Sequence, residues 1–384
     1  MKKWLSFLLV LVLCLTLTAC GGGREESSAP PTDGNSTTTT ASVSTGSVTE
    51  TTTTGVSPQT NTTGGITTTA AQKPATTSHP TMSATVPATT STTKAQQTQY
   101  ACTPLLYKVT NPAKGNFVYL FGSIHVGQKD MYPLPPYVMN AFNACDSLAV
   151  EVDIVKFEQD MQAQMEALSC LVYTDGTTIT DHLPAELYQA AVAILKENSL
   201  YDPMLDYYCP SMWSDFIDSA LYTKAGVDGE QGVDRYLLGE AKKKGMPIGE
   251  IESAQEQYGM LAKFSEPLQQ VLLASSIEQY KDISGVKTQM KELLTAWKKG
   301  DLTALKTLVA AETEFVDDTE RQLYEEYQMA MTTLRDEKMA SYIANRLNGE
   351  NNVFVCVGAA HVVGENGIID RLKKQGFTVE QVKG

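Results

Sequence analysis

Histidine is scarce in this chain: four residues in 384, at positions 79, 125, 182 and 361. No two of them are spaced as in His-Glu-x-x-His, so the helical metal pair of that motif is excluded. There is no Walker loop, no Gly-x-Gly-x-x-Gly fingerprint and no Gly-x-Ser-x-Gly elbow, which leaves mononucleotide and serine-hydrolase chemistry without support. Basic residues are outnumbered, 30 Lys and Arg against 44 Asp and Glu, for a formal net charge of −14. An acidic surface argues against nucleic acid as a partner and against electrostatic attachment to anionic lipids. No Cys-x-x-Cys pair occurs. Beyond Cys20 the cysteines are Cys102, Cys145, Cys170, Cys209 and Cys356, an odd number that fixes no disulfide pattern. Cys356 falls in the middle of an apolar run and reads as a buried thiol rather than a nucleophile.

Long apolar runs are also missing, apart from Trp4–Leu17, which is short for a membrane span. That run follows Met1-Lys2-Lys3 and ends in Leu17-Thr18-Ala19-Cys20, the layout of a secretory signal with a lipobox, in which Cys20 would be lipidated. The expected organisation is a lipoprotein signal peptide over 1–20, a tether over 21–100 and a folded domain over 101–384, anchored at the outer face of a bacterial membrane through lipid on Cys20. The tether is almost entirely Thr, Ser, Ala, Pro and Gly, without apolar periodicity. As a flexible coil of roughly 80 residues it would reach about 50 Å. His79 lies inside it and is expected to be inert.

Within the folded part, two segments stand out. Residues 117–127 read FVYLFGSIHVG and residues 353–364 read VFVCVGAAHVVG, each an apolar run ending in Gly-x-x-His, Gly122 to His125 and Gly358 to His361. Each is followed by a helix-like stretch (Pro136–Ala144; Gly364–Gln375) and a strand (Ser147–Asp153; Phe377–Val382). The expected fold is therefore α/β, with two related strand–Gly-x-x-His–helix–strand halves. Between them, apolar residues at three- and four-residue spacing predict a helical insertion over Val155–Ala167, Ala185–Lys196, Ser211–Ala225, Gly232–Lys244, Pro267–Lys281 and Val286–Lys298. A short strand is expected at Pro247–Glu252, a capping box at Ser253 and Glu256, an Asp301-capped helix over Leu302–Glu312, and one or two helices over Glu320–Leu347. Histidines at the carboxyl ends of strands sit where open α/β sheets place their ligands.

Two imidazoles and a nearby carboxylate would make an open metal site. Glu151 interrupts the strand LAVEVD and is either such a carboxylate or a solvated strand end. Glu252 ends a strand before a helix N-terminus and is either a ligand or a cap. His182 lies beside a helix start and reads as structural, and Glu380 reads as part of an exposed edge.

The blocks GSIHVGQKDMYPLP, LAVEVD, GVDRYLLGEAKKKGMPIGEIESAQEQ, LRDEKMASYI and VGAAHVVGENGIIDRLKKQGFTVEQV together resemble the TraB/GumN family, whose animal relatives are the Tiki proteins. The resemblance spans about 104–383. It implies an α/β domain of two related halves, distantly similar to erythromycin esterase and to a haem-binding lipoprotein fold. In the Tiki branch it implies a membrane-tethered metalloprotease that uses manganese or cobalt. By position the catalytic residues would be His125, Glu151, His361 and Arg335; with Glu252 from the reading above, the expected metal ligands are His125, Glu151, His361 and Glu252, with a divalent ion, Mn or Co, as cofactor and a peptide or protein as substrate. The family pattern has Arg-Asn where this chain has Arg335-Asp336. Two functions stay open: a metal-dependent hydrolase, and a binding protein that sequesters a peptide signal or a haem-like ligand without turnover.

Overall fold

In a computed structural model, residue 100 and residues 102–227, 229–310, 314–349 and 351–384 are described. The signal peptide, Cys20 and most of the tether with His79 lie outside them. The strands are β1 Leu106–Thr110, β2 Phe117–Ser123, β3 Ser147–Val150, β4 Ile248–Glu250, β5 Val353–Gly358 and β6 Thr378–Val382, joined in one sheet of order β4-β3-β5-β2-β1-β6. β1 is antiparallel to both neighbours, and the other ladders are parallel. The two sequence repeats thus share a single mixed sheet instead of forming separate halves: β5, from the second repeat, lies between β2 and β3 of the first.

The helices are α1 Pro136–Asn143, α2 Ile154–Phe157, α3 Met161–Ser169, α4 Ile179–His182, α5 Ala185–Glu197, α6 Pro210–Ala225, α7 Val233–Lys244, α8 Ala254–Ala262 and α9 Glu266–Lys281. They continue as α10 Ile283–Lys299, α11 Leu302–Leu308, α12 Asp318–Gln328, α13 Leu334–Leu347, α14 Ala359–Val363 and α15 Ile368–Lys374. The helix expected over Val155–Ala167 is two, because Asp153 and Asp160 each cap a new start by accepting from the amides of Lys156 and Ala163. The capping box at α8 forms as expected, with the Ser253 amide donating to Glu256 and the Glu256 amide to Ser253 Oγ. Asp301 caps α11, which ends at Leu308, short of Glu312.

Every residue of β5 is buried, as a central strand covered on both faces requires. Phe354 packs at 5.7 Å from Phe121 and 5.4 Å from Phe142, centroid to centroid, knitting β5 to β2 and α1. At the edge, Glu380 and Gln381 of β6 are exposed. The inserted helices carry a second small core of Phe264, Leu268, Leu272, Tyr324, Tyr327 and Met331. Among the described residues no helix is long and apolar enough to cross a membrane.

Candidate functional site

Parallel pairing of β2 with β5 sets Ser123 opposite Gly358, so both Gly-x-x-His segments leave the same carboxyl edge side by side. Their backbones then differ. His125 lies in an irregular turn, whereas His361 is in α14, which starts directly after β5 where a turn was expected. The His125 turn is clamped from outside. The Val233 amide donates to the Ile124 carbonyl at 2.9 Å, and a Cβ on Gly232 would lie 2.6 Å from the His125 carbonyl oxygen, so only glycine permits this approach. The Trp297 indole donates to the Gly122 carbonyl at 2.8 Å from the other side.

Both imidazoles are held by aspartates. His125 Nδ1 is 2.7 Å from Asp234 Oδ2, and Ser123 Oγ donates to Asp234 Oδ1 at 2.5 Å. His361 Nδ1 is 2.6 Å from Asp336 Oδ1. An ionised carboxylate only accepts, so each Nδ1 carries the proton and, in the neutral ring, Nε2 carries the lone pair. Asp234 is missing from the residues picked out by sequence, where it reads as an ordinary acid in the first turn of α7. Asp336 stood only as a departure from Arg-Asn.

Glu151 follows β3 and Glu252 follows β4. The ladder continues past both strands, the Glu252 amide donating to the Glu151 carbonyl at 2.9 Å, so two carboxylates leave neighbouring backbones. Arg335 bridges them. Its Nε and Nη2 donate to Glu252 at 2.8–3.1 Å and its Nη2 to Glu151 Oε2 at 2.5 Å. Its Nη1 has no bonded partner among the described residues. Just before α13, residues Met329–Thr333 form a π-helical turn, with the Leu334 amide reaching the Met329 carbonyl. Such a turn adds a residue and resets the helix phase, and Arg335 and Asp336 then face inward while Leu334 is 55% exposed.

Glu151 Oε1 also accepts from the Gly358 amide at 2.6 Å. Burial alone would push the Glu151 carboxyl up; Arg335, then His361, His125 and the Gly358 amide outweigh it and hold the carboxyl well below the usual carboxylate range. A carboxylate so far below neutral pH is a weak base, so its role here is that of a fixed negative charge. Around Gly358 the groups converge: a Cβ there would lie 3.3 Å from Glu151 Oε1, 3.6 Å from His361 Cδ2 and 3.7 Å from His125 Nε2.

The fold therefore brings His125, His361, Glu151 and Arg335 together from four separate parts of the sequence. The expected four-donor metal set of His125, Glu151, His361 and Glu252 is not assembled: among the described residues, no three His, Cys, Asp or Glu side chains are arranged to hold a metal ion. The reason is Arg335, which with the Gly358 and Gln257 donors engages the carboxylates of Glu151 and Glu252. His125, Glu151 and Arg335 line an open cleft, whereas His361 is 1% exposed beneath it. His182 is elsewhere, bonded to Thr177 and Glu266 and stacked on Tyr173. The five described cysteines are free thiols, and burial pushes that of Cys356 far up, as befits an inert one.

A protein called metalloprotease TIKI homolog from Nematostella vectensis is 24% identical over 72% of this chain and 66% of its own length. Metalloprotease TIKI2 of Danio rerio is 24% identical over 72% of this chain and 60% of its own length. The Escherichia coli protein YbaP is 28% identical over 41% of this chain and 56% of its own length. This chain thus spans less than two thirds of each. No solved structure matches it. The TraB/PrgY/gumN family matches residues 105–381, which hold all of the clustered side chains described above, and the chain belongs to that family.

Proposed function

We propose that this chain is a metal-dependent hydrolase acting on peptides, held at the outer face of a bacterial membrane by lipid on Cys20. The observation that carries the reading is the pair of carboxylate-backed imidazoles at adjacent strand ends, grouped around Gly358 with the Glu151 carboxylate. A carboxylate on Nδ1 is how metal-binding imidazoles are oriented and made more basic. The donors that fit a divalent ion here are His125 and His361, and relatives called metalloproteases add support. A bound Mn or Co ion would supply Lewis acidity toward a scissile carbonyl and acidify a water.

The chain's own groups have separate tasks. Asp234 and Asp336 keep the protons on Nδ1. Glu151 places a negative charge beside the imidazoles and favours a cation there. Arg335 bridges the two glutamates, offsetting one of their two charges, and offers Nη1 to a substrate oxygen, where a planar guanidinium is a strong donor. The test is to incubate the full chain with a peptide library, with and without Mn²⁺ or Co²⁺. Metal-dependent cleavage that His361→Ala abolishes is the expected result. Peptide or haem-like ligand recovered intact, with no cleavage under any metal, would overturn it in favour of a sequestering protein.

A further inference from the structure

The cleft that exposes His125, Glu151 and Arg335 has an apolar far wall, including Ile154, Met260, Leu261 and Met331, and in that wall stands one acid, Asp215 of α6. Every other carboxylate of the site is satisfied: Glu151 and Glu252 by Arg335, Asp234 by His125 and Ser123, Asp336 by His361. Among the described residues no hydrogen bond or ion pair reaches Asp215, and desolvation pushes its carboxyl up to about 7. Behind it the described residues of α6 as far as Tyr222 offer no positive charge either. The next turn of α6 carries Asp218, 2% exposed with Oδ1 unpartnered, and then Tyr222, whose buried hydroxyl is also unpartnered. Tyr258, on α8, adds no cation. A half-buried acid in an apolar wall is costly unless something pairs with it.

The charge of the cleft is one-sided as well. Its lining holds Glu151, Asp234 and Asp215 against the single guanidinium of Arg335, which Glu151 and Glu252 already engage.

We propose that Asp215 is a specificity-determining residue that accepts a cationic group of the substrate, either the side chain of a Lys or Arg or the free amine of a peptide N-terminus. This deepens the hydrolase reading and rests on it. The wall suits such a group, because the methylene stem of a basic side chain lies along Met260, Leu261 and Met331 while its head reaches the carboxylate. Pairing in a partly desolvated cleft is stronger than at an open surface, and it restores the ionised form of the acid.

The experiment uses peptide sets that differ only in charge: Lys against norleucine at one position, and a free against an acetylated N-terminus. The full chain, Asp215→Asn and Asp215→Glu are compared by the ratio of kcat/KM within each pair. The expected result is a preference of about tenfold or more for the cationic member, the worth of one charge-assisted hydrogen bond. It should collapse in Asp215→Asn and survive in Asp215→Glu. The pair that shows the preference identifies the side chain or the terminus as its source. An unchanged ratio in Asp215→Asn, or no preference in the parent, overturns the proposal. If the parent cleaves none of these peptides, the hydrolase reading fails, and Kd values for the same pairs, read by fluorescence anisotropy, decide the role of Asp215 separately. Equal Kd values for charged and uncharged members would sink it.

Discussion

An amide in place of Asp234 or Asp336 keeps the side chain's shape but can present its nitrogen to the imidazole, freeing Nδ1 from donor duty. Asp234→Asn and Asp336→Asn should each lose about 10–100-fold in metal affinity or activity with the fold intact, as removing such supporting carboxylates does. Metal content of the purified protein and kcat/KM, beside an unchanged circular dichroism spectrum, check this; normal metal content in both variants would refute it. Arg335 should behave differently. Arg335→Met leaves Glu151 and Glu252 side by side without their cation and should cost about 3–5 kcal/mol of stability. Arg335→Lys keeps the charge but cannot span both carboxylates, so activity should fall much further than melting temperature. Full activity in the lysine variant would show that the fork is irrelevant. At this scale the sequence was legible where a residue broke its context. His125 and His361 stood out by duplication, and Glu151 as an acid ending an apolar strand. Asp234 was not legible, since an acid in a helix's first turn is ordinary on dipole grounds alone.

Among the elements, the junction of β5 with α14 carries the most. Gly358 has ordinary backbone angles, φ −52° and ψ 137°, so an alanine there suffers no conformational strain. Its methyl would instead crowd Glu151 Oε1 at 3.3 Å and fill the space in van der Waals contact with His361 and His125 at 3.6 and 3.7 Å. Gly358→Ala should therefore lower kcat/KM strongly while melting temperature shifts by only a few degrees, the response expected for roughly 1 kcal/mol in a domain this size. An unaltered rate would mean that the point in front of Gly358 is not where chemistry happens. Element boundaries were readable where caps were strong, as at Ser253, Gly245 and Asp301. They were missed where a polar residue could be taken for a solvated face position: Asp160 starts a new helix inside what reads as one amphipathic run. β1 went unread because LYKVT is too short to display a period. The π turn at Met329–Thr333 leaves no mark in the apolar spacing, yet it decides that Arg335 rather than Leu334 faces inward.

For the molecule as a whole, two desolvated acids set a pH response. The Asp215 carboxyl is raised by desolvation to about 7, and Asp218 is also raised well above its ordinary value. Between roughly pH 4 and 7 the folded chain therefore holds more protons at these sites than the unfolded one, and stability falls as pH rises through that window. Asp215→Asn removes its share, so the variant should match the parent's melting temperature near pH 4 and exceed it near pH 8. A constant difference across that range would contradict the assignment. The α/β class and the helical insertion were visible in the sequence, but the interleaving of the two repeats was not, because strand order in a sheet is decided by pairing partners far apart in the chain. That interleaving bears on how the protein is made. β5 is flanked on both sides by strands that precede it by some 200 residues or more, and no ladder joins β2 directly to β3. A ribosome that has delivered everything through α13 has produced a sheet split in two, with a slot where its most buried strand belongs. The nascent chain must stay open until β5 arrives, which makes folding slow and non-local. His361 enters with that strand, so the chain cannot assemble its histidine pair before its central sheet closes.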